Sequence, residues 1–267
     1  MGDHVIEVSD LCKTYTHEGK VTSVLSEINL TVEPNEFVSI IGPSASGKST
    51  LLNIFAGLEE PSSGSISMSE FNYSDRLGQV AYMPQNDSLL PWRTVLDNAA
   101  LPLEIRGFSR KVSRTMIHSA LNNFGLSGFE NFLPSKLSGG MRQRVALLRT
   151  IMTERQLLLL DEPFGALDAL TREEMQGILH NLWRDYKKTI ILVTHDVDES
   201  LILSDTIYVL SPRPGRIIKS LRVDLDRPRT YKDAKFIKLK ADLLDFLKTP
   251  AESKLKANNK RPELHNA

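Results

Sequence analysis

Short apolar runs alternate along this chain with segments of helical periodicity, and the alternation gives the first set of predicted elements. Runs with two-residue alternation or continuous apolar character predict strands, whereas apolar residues spaced three and four apart predict helices. The predicted strands are 5–15, 24–34, 36–42, an edge strand within 60–69, 79–85, 156–163, 188–196 and a closing pair within 206–225. The predicted helices are 47–58, 141–154, 170–186, 197–205 and 232–248. Buried strands that alternate with helices predict an α/β fold with a mostly parallel sheet covered on both faces.

Between about residues 90 and 140, the alternation of strands and helices gives way to helical segments only. Here the segments 94–107, 113–126 and 128–137 have helical character and are separated by Gly and Pro. We interpret this part as a helical insert within the α/β frame. The segment 249–267 is polar and contains Pro, so we expect a disordered tail after the last helix.

Composition narrows the class of protein. The 267 residues carry 33 basic and 33 acidic side chains, and this zero net charge gives no support to a general nucleic-acid-binding role. The single cysteine, Cys12, excludes an intramolecular disulfide and a cysteine-based zinc site, which fits a reducing compartment. The start of the chain lacks the basic and apolar segments of a signal peptide. No apolar run reaches the ~18 residues that span a bilayer, so any work at a membrane requires other subunits.

A glycine-rich loop follows the predicted strand 36–42. Residues 42–49, "GPSASGKS", fit the pattern G-x-x-x-x-G-K-[ST], with a strand before and a helix after, as a phosphate-binding loop requires. We predict that Lys48 reaches the β- and γ-phosphates and that the Ser49 hydroxyl binds Mg²⁺, while the helix N-terminus attracts the anion. The alternative is a glycine turn with an exposed lysine. The predicted nucleotide contacts of the loop are Gly42, Pro43, Ser44, Ala45, Ser46, Gly47, Lys48, Ser49 and Thr50.

Two acidic residues end the apolar run "LLLLDEP". Asp161 and Glu162 lie behind four leucines, and burial of that strand places them at the carboxyl edge of the sheet, beside the glycine loop. Asp161 is predicted to hold Mg²⁺, directly or through water. Glu162 is the candidate to polarise an attacking water, a role worth about 10²–10⁴ in rate. The two motifs together predict a P-loop nucleotide hydrolase that uses Mg²⁺.

Further motifs make the chain resemble ATP-binding cassette (ABC) proteins. "LSGGMRQR" at 137–144 resembles the family signature, "YMPQ" the Q-loop, "VTHD" the switch-histidine segment and "GALD" at 165–168 the D-loop. These motifs occur in the family's order over about residues 5–229. The residues that the resemblance assigns are Tyr15 for adenine stacking, Gln85 for Mg²⁺ or the attacking water, His195 for the γ-phosphate, Ser138, Gly139 and Gly140 for the ATP held by another copy, and Asp168 for organising the opposite subunit's site.

The resemblance also implies an architecture and an assembly. It implies an ABC ATPase domain over 1–230, with a RecA-like P-loop NTPase core, an antiparallel β subdomain and a helical subdomain inserted at roughly 90–140. Residues 231–267 then form a C-terminal helix and tail. Two copies are expected to pack head to tail around two ATP molecules. The expected partners are integral-membrane permease subunits and, indirectly, a substrate-binding protein, which places the chain peripherally on the cytoplasmic face of the cell membrane.

Three stretches point to one branch of the family. "DSLLPWRTVLDNAALPLEIRG", "PFGALDALTRE" and "VLSPRPGRI" resemble ATPase subunits of importers for nitrate, aliphatic sulfonates, taurine or bicarbonate. Subunits that serve pyrimidine precursors of thiamine share the pattern, so the substrate stays open, with an oxyanion favoured. Trp92, in Pro91-Trp92-Arg93, is read as a partner-facing anchor or, alternatively, as a core residue of the helical subdomain.

Other classes fit the sequence less well. Cassette ATPases that act on DNA or translation usually carry two cassettes or long coiled coils, and this chain has neither. The signature and His195 argue against a P-loop kinase, and no [NT]KxD motif indicates a GTPase. An exporter subunit is disfavoured by the "PWRTVLDN" stretch. One departure from the family concerns Ala45, which stands where glycine is most common; because Gly42 and Gly47 remain, we still expect activity.

Overall fold

The computed structural model describes residues 4–69 and 76–248, which form two sheets and a group of helices. The strands are β1 (Ile6–His17), β2 (Lys20–Val32), β3 (Phe37–Ile41), β4 (Ser63–Met68), β5 (Ala81–Met83), β6 (Leu157–Asp161), β7 (Thr189–Thr194), β8 (Thr206–Leu210) and β9 (Ile217–Arg222). The helices are α1 (Lys48–Phe55), α2 (Val95–Ile105), α3 (Arg110–Leu121), α4 (Gly139–Ile151), α5 (Ala169–Tyr186), α6 (Val197–Leu203) and α7 (Ala234–Lys248).

The larger sheet is the core of the molecule. Its strand order is β5-β6-β7-β3-β8-β9, and every neighbouring pair is parallel except β8 with β9. Every residue of β3, β6, β7 and β8 is buried, as expected for parallel strands covered on both faces. Because β5, β6, β7 and β3 run parallel, their carboxyl ends meet at one edge of the sheet. That edge receives the glycine loop and the acidic pair.

The smaller sheet is antiparallel, with order β2-β1-β4, and β4 is an edge strand as predicted. Strands β1 and β2 are longer than predicted and meet at a two-residue turn. Glu18 and Gly19 have φ values of 50° and 76° there, the conformation that a type I′ hairpin requires. Helix α1 packs between the two sheets, because Leu51 and Phe55 join one apolar cluster with Ile6 of β1 and Ile40 of β3. The glycine loop at the start of α1 therefore lies where the two sheets meet.

The helices of the 95–151 region pack on the other face of the core sheet. Apolar residues of α2, α3, α4 and α5 share one cluster with β6 and β7. The predicted helix at 128–137 is wrong: this segment forms turns and a single 3₁₀ turn at Pro134–Lys136. Gly128 takes φ 85° and Pro134 lacks an N–H donor, so the segment cannot continue as a helix. These findings confirm the predicted α/β class with a mostly parallel core sheet, an antiparallel sheet and added helices.

Helix α7 confirms the helix predicted at 232–248. Phe236 and Leu243 are each 1% exposed and pack with Ile207 of β8 and Val223, so α7 is part of the same body as the core sheet. The disordered tail predicted from residue 249 onward lies outside the described residues. Within the two described ranges, none of the helices has the length and apolar character needed to cross a membrane.

Candidate functional site

A cavity of about 520 Å³ opens over the glycine loop, between the antiparallel sheet and the carboxyl edge of the core sheet. The side chains and backbone that line it are those of Tyr15, Thr22, Val24, Ser44, Ala45, Ser46, Gly47, Lys48, Ser49, Thr50, Gln85, Glu162 and Arg213. The structure thus brings the loop together with three residues that the sequence places far from it, namely Tyr15, Gln85 and Glu162. Gly42 and Pro43 form the base of the loop and do not line the cavity.

The conformation of the loop depends on its glycines. Gly47 has φ 97°, and a Cβ there would lie 2.7 Å from Leu25 Cδ2, so a side chain has no room. A Cβ on Gly42 would lie 2.9 Å from the backbone oxygen of Leu210. Ala45 has φ 62°, a left-handed conformation that costs a residue with a Cβ about 1–2 kcal/mol. The glycine that the family usually has at this position would adopt the same conformation without that cost.

Lys48 is buried inside the loop and is not the exposed lysine of a plain turn. Its Nζ donates to the backbone oxygens of Gly42 and Pro43, both at 2.9 Å, and lies 3.5 Å from Ser46 Oγ. Burial lowers the pKa of Lys48, while the carboxylates of Glu162 and Asp161 act in the opposite direction. The loop therefore holds a cation at its centre, where an anionic phosphate group would lie.

Asp161 ends β6 and is 2% exposed. Burial raises its pKa, and a hydrogen bond from the Ser49 side chain opposes that shift. The other carboxylate oxygen, Oδ1, is buried and has no hydrogen-bond partner among the described residues. A buried carboxylate with one unsatisfied oxygen beside a hydroxyl, at the edge of a phosphate-sized cavity, fits the oxygen ligands that Mg²⁺ prefers. Asp161 and Ser49 would hold this ion, with Gln85 facing the same cavity.

Glu162 lies between two of the predicted catalytic residues. Its Oε2 accepts from Gln85 Nε2 at 3.4 Å, and its Oε1 lies 3.3 Å from His195 Nδ1. The backbone of Glu162 has φ 49°, held by a hydrogen bond from its N–H to the oxygen of Val193 at 2.8 Å. This turn after β6 directs the carboxylate toward the cavity. The arrangement gives one carboxylate, one amide and one imidazole within reach of the same water or phosphate oxygen.

Tyr15 lies at the far side of the cavity, on β1. Its ring is 39% exposed, its hydroxyl donates to Glu59 Oε2, and the Nζ of Lys13 lies 4.8 Å from the ring centroid. Burial raises the pKa of Tyr15, and the bond to Glu59 raises it further. Tyr15 is therefore a held, accessible aromatic ring and not a core strand residue.

The signature residues and Asp168 do not lie at this cavity. Ser138 caps α4, with its Oγ accepting from the N–H of Met141 at 3.2 Å, and Gly139 and Gly140 form the first turn of that helix. Asp168 caps α5 by accepting from the N–H of Thr171 at 3.1 Å. Ser138, Gly139 and Asp168 are exposed. Within one chain, the structure therefore does not bring these residues together with the glycine loop in the cavity.

Buried side chains tie these loops together, and the sequence did not single them out. Gln143 of α4 donates through Nε2 to the backbone oxygen of Glu162 at 2.7 Å and accepts through Oε1 from the N–H of Ala166 at 2.8 Å. The one feature of the sequence that could have indicated Gln143 is its position within the signature motif at 137–144. The bridge joins the signature helix to the acidic pair and to the following 165–168 loop.

Arg172 of α5 makes a second connection that the sequence did not indicate. Its Nη2 donates to the oxygen of Leu167 at 3.2 Å, and its Nη1 donates to Asp196 Oδ2 at 3.3 Å. Its Nε lies 3.7 Å from Glu199 Oε1. Burial raises the pKa of Glu199 to about 7. Arg172 thus joins the 165–168 loop to the segment that follows His195.

Comparisons with known proteins agree with this geometry. The family model described as ABC transporter matches residues 25–165. An aliphatic sulfonates import ATP-binding protein of Bacillus licheniformis is 44% identical over 228 residues, which cover 85% of this chain and 88% of that protein. A formylaminopyrimidine import ATP-binding protein of Halalkalibacterium halodurans is 46% identical over 206 residues, covering 77% and 80%. The solved structure of a dimeric ATP-binding cassette, in a post-hydrolysis state bound to ADP and Pi, matches with a TM-score of 0.76 and 30% identity over 83% of this chain and 100% of that one.

Proposed function

Since this chain belongs to the ABC transporter family and is an ATPase of the importer type, we propose that it powers uptake of a small oxyanion through a separate permease. The observation that carries the proposal is the single cavity in which the Lys48 loop, Gln85 and Glu162 meet, with His195 in contact with Glu162. These groups come from four strand ends of one sheet. Their arrangement supports hydrolysis of a nucleoside triphosphate.

The chain's own residues divide the reaction between them. The loop and Lys48 hold the phosphates, and Tyr15 holds the adenine by stacking. Mg²⁺ bound by Ser49 and Asp161 would offset negative charge on the β- and γ-phosphates. Glu162 accepts a proton from the attacking water, which Gln85 orients. The imidazole of His195 donates a hydrogen bond to the γ-phosphate as charge develops on it.

We infer that the active assembly contains two copies of the chain. The exposed Ser138 at the N-terminus of α4 supports this proposal, because a helix N-terminus with free N–H groups attracts phosphate and the cavity of the same chain does not include it. In a head-to-tail pair the signature of each copy faces the γ-phosphate in the cavity of the other. Hydrolysis removes the group that both copies hold, and the pair opens.

A second surface supports binding to the permease. A groove of about 400 Å³ lies between α2, the end of α4 and the residues Leu58 and Leu77. Leu58, Leu77 and Ile105 are between 55% and 77% exposed at this groove, and Arg106 and Arg155 line it as well. An apolar groove with basic residues fits an amphipathic helix from a membrane subunit. This contact would hold the chain at the cytoplasmic face of the membrane.

Trp92 is a further candidate for contact with the permease and is not among the residues that line this groove. The alternative that Trp92 fills the core of the helical region is wrong, because its side chain is 74% exposed. Tryptophan is among the residues that most often dominate the energy of an interface. We therefore propose Trp92 as a partner-facing anchor beside the Gln85 segment.

The transported solute is proposed from the relatives. The relative named for aliphatic sulfonates supports a sulfonate. We propose an oxyanion of this kind and keep taurine, nitrate and bicarbonate as the other candidates. The relative named for formylaminopyrimidine supports a second candidate, a pyrimidine precursor of thiamine. Neither solute touches this chain in the proposed assembly, because recognition belongs to the binding protein and the permease.

The test is transport in proteoliposomes that contain the chain with the permease and binding protein encoded beside its gene. We expect ATP-dependent uptake of a labelled sulfonate or other oxyanion, and none with Lys48→Ala, which removes the central cation of the loop. Lys111→Ala, an exposed lysine on α3, is the matched control and should retain uptake. Uptake of formylaminopyrimidine instead would favour the second candidate. ATP hydrolysis without any association with the permease would contradict the importer proposal.

A further inference from the structure

The turn between β8 and β9 is packed tightly on the glycine loop. A Cβ on Gly215 would lie 2.1 Å from the backbone oxygen of Ser46, so the two backbones are in direct contact there. The N–H of Gly215 donates to the oxygen of Val24 at 2.8 Å, and the N–H of Ser26 donates to the oxygen of Gly215 at 3.0 Å. The turn 211–216, "SPRPGR", is therefore fixed relative to both the loop and β2.

Arg213 lies in this turn and is part of the cavity wall. Its Nε donates to the backbone oxygen of Ala45 at 3.3 Å, which places the guanidinium group over the glycine loop. The side chain is exposed, and neither Nη group has a hydrogen-bond or ion-pair partner among the described residues. A planar cation is thus held in the cavity wall with most of its donors free.

The charges around the cavity explain what such a cation would bind. The charged side chains in its lining are Lys48, Arg213 and Glu162. A triphosphate carries more negative charge than one Mg²⁺ and one lysine offset, and Lys48 already donates within the loop. A guanidinium group presents parallel N–H donors that match two oxygens of a phosphate.

We propose that Arg213 is a further nucleotide-binding residue, which contacts phosphate oxygens of the bound nucleotide from the β8–β9 turn. This inference rests on the proposed function, since it takes the cavity to be the ATP site. It adds a cation to that site from the "VLSPRPGRI" stretch, to which the sequence assigned no nucleotide contact. The competing role for the same side chain is contact with an acidic residue of a second copy.

The chain offers a matched control for the test. Arg216 lies three residues further along, and its Nη1 contacts Glu27 Oε2 at 2.5 Å, away from the cavity lining. Arg216→Ala removes the same charge from the same turn as Arg213→Ala. Arg213→Lys keeps the charge and loses the planar group. Thermal unfolding of each variant establishes that the fold is retained.

The experiment measures the affinity for ATP, ADP and adenosine by competition with a fluorescent ATP analogue at two salt concentrations. We expect Arg213→Ala to weaken ATP and ADP about tenfold, since charge-assisted hydrogen bonds at an exposed site are of that order. Adenosine affinity should stay unchanged, and the salt dependence of ATP binding should be smaller than in Arg216→Ala. The ATP affinity of Arg213→Lys should lie between that of Arg213→Ala and that of the unmodified chain.

Several results would overturn the proposal. If Arg213→Ala and Arg216→Ala bind ATP with equal affinity, Arg213 does not contact the phosphates. An equal loss for ATP and adenosine means that the loop has moved and that Arg213 acts only on its position. Unchanged affinity with loss of ATP-dependent dimerisation assigns Arg213 to the second copy. If the unmodified chain binds no ATP, the proposed function itself fails, and that outcome is separate from the other three.

Discussion

The Nδ1 atom of His195 lies 3.3 Å from Oε1 of Glu162, and the two residues directly follow different strands of the core sheet. Strands β6 and β7 are neighbours, with Asp161 opposite Val193 in register, so the residues that follow them meet at one edge. The contact holds a carboxylate and an imidazole beside the same cavity. We therefore expect replacement of Glu162 to separate nucleotide binding from hydrolysis.

Glu162→Gln should bind ATP with near-normal affinity and hydrolyse it about 10²–10⁴-fold more slowly, since an amide cannot accept the proton of the attacking water. Because ATP then stays bound, the variant should elute as a dimer in gel filtration with ATP present. Glu174→Gln, an exposed glutamate on α5, is the control and should hydrolyse ATP normally. A monomeric, fully active Glu162→Gln would show that the base lies elsewhere.

Tyr15→Ala should weaken ATP binding about tenfold, because stacking on an aromatic ring contributes about 1–3 kcal/mol per base. Turnover at saturating ATP should change little, since Tyr15 is on the far side of the cavity from Glu162. Tyr15→Phe keeps the ring and loses the hydroxyl that bonds Glu59, so it should bind ATP nearly as well as the unmodified chain. Equal affinities of all three proteins in calorimetry would exclude an adenine contact.

Trp92→Ala should weaken association with the permease by roughly 2 kcal/mol, about 30-fold, as for a central aromatic anchor. Tyr186→Ala is the matched control, because Tyr186 is also an exposed aromatic residue, 69% exposed at the end of α5, and is distant in sequence from the Gln85 segment. The readout is the retention of each variant on the detergent-solubilised permease. Equal retention of the two variants would place the permease contact away from Trp92.

Glu199→Gln tests the buried network around Arg172. Burial raises the pKa of Glu199 to about 7, above the value of about 4.5 for an unfolded glutamate. The folded protein therefore loses stability as pH rises from about 4.5 through 7, because the folded state must ionise a buried carboxyl. The difference in the free energy of unfolding between Glu199→Gln and the unmodified chain should therefore change by about 1–3 kcal/mol in favour of the variant when the pH is raised from 5 to 8.

The measurement for Glu199 is the midpoint of urea unfolding at the two pH values. Glu174→Gln is again the control and should shift equally at both, since Glu174 is exposed. A constant difference between Glu199→Gln and the unmodified chain across this range would mean that Glu199 ionises freely in the folded state. Arg172 would then be fully paired with it.

The parts of the fold that could be predicted are those in which burial dominates the sequence. Strands β3, β6, β7 and β8 are continuous apolar runs because both faces are covered, and each was predicted close to its true position. The exposed ends of β1 and β2 carry polar residues, so the pattern underestimated their length. The segment 128–137 has apolar spacing that resembles a helix, but Gly128 and Pro134 set its backbone instead.

The site divides in the same way. Lys48, Asp161 and His195 follow directly from strands whose ends could be read, so their grouping at one edge was predictable from parallel topology. The approach of Arg213 to Ala45 joins residues 168 positions apart, and no local pattern encodes it. The bridge made by Gln143 likewise depends on how α4 packs against the end of β6.

The Gln143 bridge connects α4 directly to the backbone at Glu162. The side-chain amide of Gln143 bonds to the backbone at Glu162 and at Ala166, and Ser138, the N-cap of the same helix, lies only five residues before Gln143. In the proposed pair, a displacement of the Glu162 backbone in one chain would pass through Gln143 to the first turns of α4, which would face the nucleotide of the neighbouring copy. The two nucleotide sites of the proposed pair would then be coupled through α4 of each chain, so that hydrolysis at one site would alter the contacts of the other.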